Sequence, residues 1–375
     1  MKDIIKLTIV VSALVLPGIS LFAQSTEQSN QPCLTSFFTK SLHFTGEGMR
    51  RWYEEEGGFM EITKIPYDQL DCKTCHLKSC DQCHAKKKGA KLVFSPLKAR
   101  DMNTCLPCHS REGLTFKFDG ERESLDVHLA AGMVCADCHW RYDIHGDGRF
   151  RPSMRHPKGV RASCQTCHVE QQKESPVFDP DTVSHEVHGD KLDCAACHVR
   201  DTMACYNCHF DRFLETGTKK GNFLPMKDWL LLINYQGKVT SGSVMTLVYQ
   251  NKKFIAYVPY FTHSVASQGR SCDECHANQA VQEIKRGKKM TVVDFKQGKV
   301  VTWKGVVPVV EGKLEWAFLN RTEKGWEQIT TRDNPLVQFA AYGSALTEEQ
   351  FNKMAEKVTV EEFQVEKQQK SGGMK

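Results

Sequence analysis

The chain has 375 residues, a formal net charge of +5, a hydrophobic fraction of 40% and 17 cysteines. So many cysteines exclude an ordinary reduced cytosolic enzyme and indicate disulfides, metal sites or covalent cofactors. The sequence contains no phosphate-cradling glycine motif and no Ser/His/Asp arrangement above chance, and we expect no nucleic-acid partner.

The first predicted element, residues 1–23, is a secretory signal peptide. Lys2 and Lys6 give a basic start, residues 7–22 are an apolar run, and Ala23 is a small residue at the expected cleavage point. An uncleaved anchor is the alternative, but the run is short for a membrane span and contains a proline and a glycine. We therefore expect a periplasmic protein, or one at the outer surface, with no transmembrane span in the mature chain.

Further along the chain, one cysteine pattern repeats eight times. It is Cys-x-x-Cys-His, and it uses every cysteine except Cys33. In chain order, the copies are Cys72, Cys75 and His76; Cys80, Cys83 and His84; Cys105, Cys108 and His109; Cys135, Cys138 and His139; Cys164, Cys167 and His168; Cys194, Cys197 and His198; Cys205, Cys208 and His209; and Cys272, Cys275 and His276.

The pattern matches the covalent attachment site of a c-type haem. Two cysteines form thioether bonds to the haem vinyl groups, and the histidine that follows ligates the iron as the proximal ligand. Paired cysteines can also bind zinc or form redox disulfides, but neither role requires a histidine after the second cysteine. The sequence therefore predicts eight covalent c-type haems with iron as the metal.

With these motifs, the stretch from Cys72 to His276 resembles the multihaem c-type cytochromes. The resemblance implies electron transfer outside the cytoplasm, between a redox donor and an acceptor. Some octahaem cytochromes are reductases of nitrogen or sulfur compounds, so the resemblance leaves an enzymatic role open.

The spacing of the motifs predicts a division of the chain. Residues 24–66 form an N-terminal arm, 67–212 a seven-haem domain, and 213–375 a mixed α/β region with the eighth haem. The seven-haem stretch is too short to build a protein core around each cofactor. We therefore expect a mostly irregular and α-helical multihaem cytochrome fold in which the haems are the core, with a short helix leading into each motif.

In the C-terminal region, apolar runs predict strands, and turn signals separate several of them. The strands are expected at 244–249, 254–258, 290–295, 300–303 and 314–319. A capping box at Thr347 and Gln350 predicts a helix that carries Phe351, Met354 and Val358 on one face.

Seven histidines lie outside the motifs and are candidates for the distal ligands. They are His43, His128, His145, His156, His185, His188 and His263. Seven distal histidines cannot serve eight irons, so at least one haem needs another sixth ligand or none. The alternatives are a methionine, a lysine such as those at 86–88, the thiolate of Cys33, or water.

Three functions are compatible with this pattern. The first is an electron carrier between a membrane quinol-oxidising partner and a periplasmic or outer-surface acceptor. The second is a multihaem reductase of a small nitrogen or sulfur compound, which acts at the haem that lacks a distal histidine. The third is a subunit of a cytochrome filament.

Overall fold

The structure is a computed structural model that describes residues 36–70, 77–170, 175–217 and 222–358. The predicted signal peptide, Cys33, and the first motif with Cys72, Cys75 and His76 lie outside these residues. Residues 34–375 form one compact unit. No helix in the described ranges is both long enough and apolar enough to span a membrane.

The helices are short. The longest described helix, α7, has 12 residues. The α-helices are α1 Leu42–Thr45, α2 Glu47–Glu54, α3 Met60–Thr63, α4 Asp81–His84, α5 Pro96–Arg100, α6 Met102–Cys105, α7 Ser110–Glu121, α8 Val127–Ala130, α9 Cys135–Cys138, α10 Arg141–His145, α11 Cys164–His168, α12 Val183–His188, α13 Cys194–His198, α14 Phe210–Thr216, α15 Cys272–Cys275, α16 Gln279–Lys285 and α17 Glu348–Met354. Short 3-10 helices cover Phe38–Lys40 and Tyr67–Gln69.

Most of the strands belong to the C-terminal half. They are β1 Ala85–Lys88, β2 Lys91–Phe94, β3 Ala204–Tyr206, β4 Cys208–His209, β5 Leu224–Met226, β6 Trp229–Tyr235, β7 Lys238–Tyr249, β8 Lys252–Pro259, β9 Met290–Lys296, β10 Lys299–Thr302, β11 Gly305–Pro308, β12 Leu314–Trp316, β13 Leu319–Thr322, β14 Gly325–Gln328, β15 Leu336–Phe339 and β16 Gly343–Ser344.

The main sheet has the strand order β11-β6-β7-β8-β15. Its centre is an antiparallel meander of β6, β7 and β8, and β11 and β15 add parallel strands at the two edges. The first half of β7 pairs with β6, whereas Leu247 and Val248 near its end pair with the short strand β4. The seventh cysteine motif is thereby part of the sheet.

The strands predicted in the C-terminal region are confirmed, with one difference. The run at 314–319 is two strands, β12 and β13, which belong to different sheets and are separated by the buried residues Ala317 and Phe318. The capping box of α17 is also confirmed, because the Thr347 side chain accepts from Gln350 N and the Gln350 side chain accepts from Thr347 N. The helix ends at Met354, however, so the expectation that it extends to Val358 is wrong.

The N-terminal arm and part of the seven-haem stretch pack on this sheet. Phe59 of the arm packs against Phe210 and Phe254, with ring centroids 4.9 and 5.1 Å apart. The motif helix α13 buries Ala195 and Ala196 in the same hydrophobic cluster as Leu230 and Leu232 of β6. Hydrophobic contacts with the β region therefore hold both segments.

The rest of the stretch that is predicted to bind seven haems has no hydrophobic core of its own among the residues that the structure describes. Between Leu70 and Ala195 no hydrophobic side chain of the described residues is buried. Several large apolar side chains there are instead exposed, including Leu97, Trp140, Phe150 and Met154. Since apolar burial is the main favourable term in folding, the protein atoms alone do not account for the stability of this stretch.

Candidate functional site: histidine pairs at the cysteine motifs

The motifs adopt two different backbone conformations. Six of the seven described motifs lie in a short helix or overlap one: α4, α6, α9, α11, α13 and α15. The seventh instead consists of strands β3 and β4, with Asn207 between them at a φ of 53°. A short helix is therefore present at six described motifs and absent at the motif of His209. It leads into the motif, as expected, only at α6, and at the other five it begins within the motif.

The second cysteine does not have the same position in every helical motif. Helix α6 ends at Cys105, so Cys108 lies in the turn that follows, where its backbone N donates to Cys105 O at 3.2 Å. Cys167 instead lies inside α11, and its carbonyl accepts from the Ser175 hydroxyl at 2.6 Å. At Cys108 the helix therefore leads into the motif, as expected, whereas at Cys167 the helix contains the motif.

The described motif cysteines differ in how far they are exposed. Those that are exposed are Cys108, Cys138 and Cys164. Those that are partly buried are Cys80, Cys83, Cys105, Cys135, Cys167, Cys194, Cys197, Cys205, Cys208, Cys272 and Cys275. None of them is sealed inside a protein core, so a large group could reach each thiol. The thioether roles of Cys72 and Cys75 and the ligand role of His76 fall outside the described residues and stay predictions.

Twelve of the described histidines face each other in six pairs. Each pair combines one motif histidine with one histidine from outside the motifs. The ring centroids are separated by 6.2 Å for His43–His109, 6.0 Å for His84–His145, 6.1 Å for His128–His168, 6.1 Å for His139–His263, 6.3 Å for His185–His198 and 6.0 Å for His188–His276.

The separation within each pair leaves room for one metal ion. Two imidazole nitrogens that each lie about 2 Å from a common ion put their ring centroids about 6 Å apart. No group of three or more His, Cys, Asp or Glu side chains in the described ranges converges on a metal position. A bare zinc ion needs three or four protein ligands, whereas a haem iron takes only two axial ones. The pairs therefore fit a haem iron.

Hydrogen bonds orient many of the paired rings. In six of these rings, Nδ1 lies within hydrogen-bonding distance of a carbonyl or carboxylate oxygen, which can accept a hydrogen bond but not donate one. The rings and their partners are His128 with Asp126 Oδ1 (3.1 Å), His139 with Asp143 Oδ2 (3.4 Å), His168 with Pro176 O (2.7 Å), His185 with Asp179 O (2.6 Å), His188 with Ser184 O (2.7 Å) and His198 with Ala266 O (3.1 Å). Nδ1 must therefore carry the proton, and the Nε2 lone pair is left for a metal. Metal-bound histidines usually have such a partner.

Burial keeps several of these rings neutral. Burial, together with nearby His109, lowers the pKa of His43 to about 4. Burial also lowers the pKa values of His145 and His276, and their partners His84 and His188 act in the same direction. A neutral imidazole is the form that ligates a metal, so these rings do not need to lose a proton first.

Cysteines of different motifs lie next to each other. The thiol of Cys105 is within hydrogen-bonding distance of Cys135, and that of Cys164 is within hydrogen-bonding distance of Cys194. Cys275 lies within electrostatic range of Cys197. Groups attached to these cysteines would therefore also be neighbours.

The motif of His209 is built into the β region. The hydroxyl of Tyr206 donates to Ala317 O, and the Asn207 side chain bonds both Leu319 N and Leu319 O. His209 Nδ1 accepts from Arg212 N at 3.4 Å and so caps α14. These contacts replace the helical turn of the other motifs and leave His209 buried.

His209 has no histidine partner among the described residues. The other described histidine outside the pairs is His156, and its Nδ1 is buried without a hydrogen-bond partner. The Tyr235 hydroxyl donates to Arg155 O, next to His156 in the chain. In the sheet, Tyr235 pairs with Lys238, the first residue of β7. His209 pairs with Val248, ten residues further along β7 (248 − 238). At about 3.3 Å per residue, Lys238 and Val248 are about 33 Å apart along β7. The Arg155 side chain, next to His156, nevertheless lies 4.4 Å from the ring centroid of Phe261 and within electrostatic range of Tyr260.

A polar group adjoins the seventh motif at Cys205. The side chain of Arg111, on α7, hydrogen-bonds the thiol of Cys205. Its guanidinium also lies 4.9 Å from the ring centroid of Tyr260. The Tyr260 hydroxyl donates to the carboxylate of Glu112. A cation, a phenol and a carboxylate therefore lie together beside this motif.

A buried ion-pair network ties α7 to the segment that leads into the seventh motif. The side chain of Lys227 is 2% exposed and contacts Asp119 of α7 and, at 3.0 Å, Asp201. Arg122 continues the network, with a 2.6 Å contact to Asp228. Burial raises the pKa of Asp201, and the charge of Lys227 opposes that rise. The network fixes the position of α7, and with it Arg111, relative to Cys205.

Six of the seven predicted distal histidines are thus beside a motif histidine, and His156 is not beside a described one. The lysines at 86–88, considered as alternative ligands, belong to the exposed strand β1. Sequence reasoning did not single out Arg111, Tyr260 or Lys227. No local pattern marks them, because their contacts join segments that are far apart in the chain.

Comparisons with known proteins give a distant relative. No family model and no solved structure match the chain. The chain that carries these cysteine motifs and histidine pairs is nonetheless similar to a known redox enzyme. The chain is 21% identical over 234 residues to the dissimilatory sulfite reductase MccA of Wolinella succinogenes. The match covers 53% of this chain and 32% of that protein, so the chain matches about a third of the relative's length.

Proposed function

We propose that this protein is a multihaem c-type cytochrome that transfers electrons between a donor and an acceptor outside the cytoplasm. The observation that carries the proposal is the set of six histidine pairs. Random packing of histidines would not combine a motif histidine with one from outside the motifs every time. The stretch between Leu70 and Ala195 supports the same conclusion, because covalent haems would supply the apolar core that it lacks.

The chain's own residues would hold the haem at each of the six histidine pairs in the same way. The two motif cysteines would form the thioethers, and the motif histidine and its partner would both ligate the iron. A bound haem supplies reversible one-electron chemistry of iron. With both axial positions filled by protein, the pairs exclude small molecules from the metal, which suits electron transfer and not substrate binding.

The contacts between motifs provide a route for electrons. Cys105 lies beside Cys135, Cys164 beside Cys194, and Cys197 near Cys275. Thioethers formed at neighbouring cysteines would place the edges of their macrocycles close together. We propose that the donor is a membrane quinol-oxidising complex, that the acceptor is periplasmic or at the outer surface, and that the signal peptide exports the chain.

Haem stoichiometry and spin state test this proposal together. The mature protein should have the mass of the chain from about residue 24 plus eight haems. Its oxidised electron paramagnetic resonance spectrum should be dominated by low-spin signals from bis-histidine haems. Fewer than seven attached haems, or mostly high-spin iron, would refute the proposal.

A second candidate function is reduction of a small oxyanion at the motif of His209. This motif has no histidine partner within the described chain. Arg111 and Tyr260 beside Cys205 could bind and protonate an anionic substrate. The relative is a sulfite reductase by name, so we propose sulfite as the first substrate to test.

Reoxidation kinetics distinguish the reductase from the carrier. The fully reduced protein is mixed anaerobically with sulfite, nitrite or hydroxylamine, and haem oxidation is followed. A reductase reoxidises rapidly with one of them, and Arg111→Gln slows that reaction, whereas Lys117→Gln on the exposed side of α7 does not. If none of the three oxidises the protein faster than it oxidises a simple bis-histidine cytochrome, the reductase function is excluded.

A further inference from the structure

A small hairpin protrudes beside the second motif. Strands β1 and β2 pair in antiparallel register from Ala85↔Phe94 to Lys88↔Lys91. Gly89, at a φ of 64°, lies in the two-residue turn between them. Every residue of the two strands is exposed except Ala85, which is partly buried. An isolated two-stranded hairpin is only marginally stable in water, so one that is exposed on both faces suggests a surface that another molecule covers.

The hairpin is strongly basic. Lys86, Lys87, Lys88 and Lys91 lie within it, and none of them forms an ion pair with any residue that the structure describes. The segment from 85 to 94 contains no acidic residue. Four uncompensated positive charges within two short strands attract an acidic surface and accelerate its encounter with the protein.

Apolar side chains interleave with these lysines. Leu92 is 60% exposed and Val93 is 44% exposed, and Leu97 just after the hairpin is 74% exposed. Directly paired residues share one face, so Lys87 and Leu92 lie on one face while Lys86 and Val93 lie on the other. Since the two faces point in opposite directions, a haem attached at the second motif would lie against one of them at most. The other face remains a mixed basic and apolar surface.

The base of the hairpin is fixed to the motif itself. Ser95 N donates to His84 O at 2.8 Å, and Lys98 Nζ donates to Gln82 O at 2.7 Å. His84 is also one half of a histidine pair with His145. Anything that binds the hairpin is therefore held close to this pair.

We propose that the hairpin of β1 and β2 is the docking surface for an acidic electron-transfer protein that exchanges electrons with the haem of His84. The proposal rests on the proposed electron-transfer function. The lysines steer the partner and set its orientation, and Leu92, the more exposed of the two apolar strand residues, supplies the apolar contact at the centre of the interface. Interfaces that combine a charged rim with an apolar centre suit fast and transient exchange.

The test uses the full holoprotein and a small acidic ferredoxin as the probe donor. Stopped-flow absorbance measures the second-order rate constant of haem reduction at increasing salt. We expect Lys86→Glu/Lys87→Glu/Lys88→Glu to lower the rate at low salt by about tenfold or more and to flatten its salt dependence. Leu92→Ser should lower the rate by a smaller factor that does not depend on salt.

The control variant is Lys299→Glu/Lys304→Glu/Lys324→Glu, which changes the net charge equally at lysines of the C-terminal region. An equal loss of rate in both triple variants would overturn the docking proposal, as would no loss in either. A zwitterionic viologen without net charge serves as a second reductant. Altered viologen kinetics or a shifted potential in the hairpin variant would mean that the lysines pair with haem propionates, which also overturns it. If the viologen cannot reduce the wild-type protein, the electron-transfer function itself fails.

Discussion

The rings of His139 and His263 face each other with centroids 6.1 Å apart, although they come from the predicted stretches on opposite sides of the 212/213 boundary. His188 and His276 span the same boundary at 6.0 Å. An iron held by either pair would join the two stretches through a metal bond on each side. Insertion of these haems and docking of the β region would then depend on each other.

Replacement of His263 directly tests this connection between the two stretches. In His263→Ala the iron of the motif at His139 loses its second protein ligand. We expect one additional haem to become high-spin and to bind carbon monoxide when reduced, with the remaining spectrum unchanged. Electron paramagnetic resonance and a carbon monoxide titration measure both effects. Lys299→Ala is the control, and an unaltered count of carbon-monoxide-binding haems would show that His263 is not a ligand.

The carboxylate of Asp126 should tune one haem potential. Asp126 Oδ1 accepts from His128 Nδ1 at 3.1 Å, and Oδ2 accepts from Val265 N at 2.8 Å. Burial opposes ionisation of Asp126, but these hydrogen bonds outweigh it and lower the pKa of the carboxyl. The anion makes the His128 imidazole a stronger donor to ferric iron.

Asp126→Asn keeps the size of the side chain and removes its charge. The imidazole becomes a weaker donor, so the potential of that haem should rise while the others stay constant. Spectroelectrochemical titration resolves the shift. Asp190→Asn, at an exposed aspartate, is the control. A downward shift or no shift would contradict the assignment of His128 as a ligand that Asp126 polarises.

The motifs, the C-terminal strands and the capping box of α17 could be predicted from the sequence because each depends on neighbouring residues. The histidine pairs could not be predicted. His128 lies just upstream of Cys135, but its ring faces His168, and His263 lies just upstream of Cys272 but faces His139. Tertiary packing decides which histidine reaches which motif.

The conformation of the seventh motif was also beyond sequence reasoning. Its Cys-x-x-Cys-His spacing is the same as in the helical motifs. Tyr206 and Asn207 fill the two intervening positions and are fully buried, in contact with Ala317 and Leu319 of the β region. Contacts that join distant segments override the local preference for a helical turn at this motif.

The buried ion-pair network should be costly to break from one side. Lys227→Met leaves Asp119, which is 3% exposed in its side chain, and Asp201 without their buried cation. Unpaired buried charges of this kind destabilise a protein by about 3–5 kcal/mol. Urea denaturation followed by circular dichroism measures the loss.

The triple variant Lys227→Met/Asp119→Asn/Asp201→Asn tests the cause of that loss. It removes every charge of the cluster core, so most of the stability should return. A triple variant as unstable as Lys227→Met would mean that the lysine acts through its packing. Lys238→Met, at the exposed lysine that begins β7, should be close to neutral.

The anchoring of the seventh motif can be separated into two contributions at Asn207. Its side chain bonds the buried Leu319 at both N and O, and its own backbone has a φ of 53°. Asn207→Gly removes the side-chain bonds but suits this backbone, and should cost about 1–3 kcal/mol for each Leu319 group left unpaired. Asn207→Ala removes the same bonds and adds about 1 kcal/mol of backbone strain.

Both variants should perturb only the haem signal assigned to His209, measured by magnetic circular dichroism alongside urea denaturation. If the alanine variant is as stable as the glycine variant, or if the signals of the histidine-paired haems change instead, the seventh motif is not held by Asn207 in the way that the structure indicates.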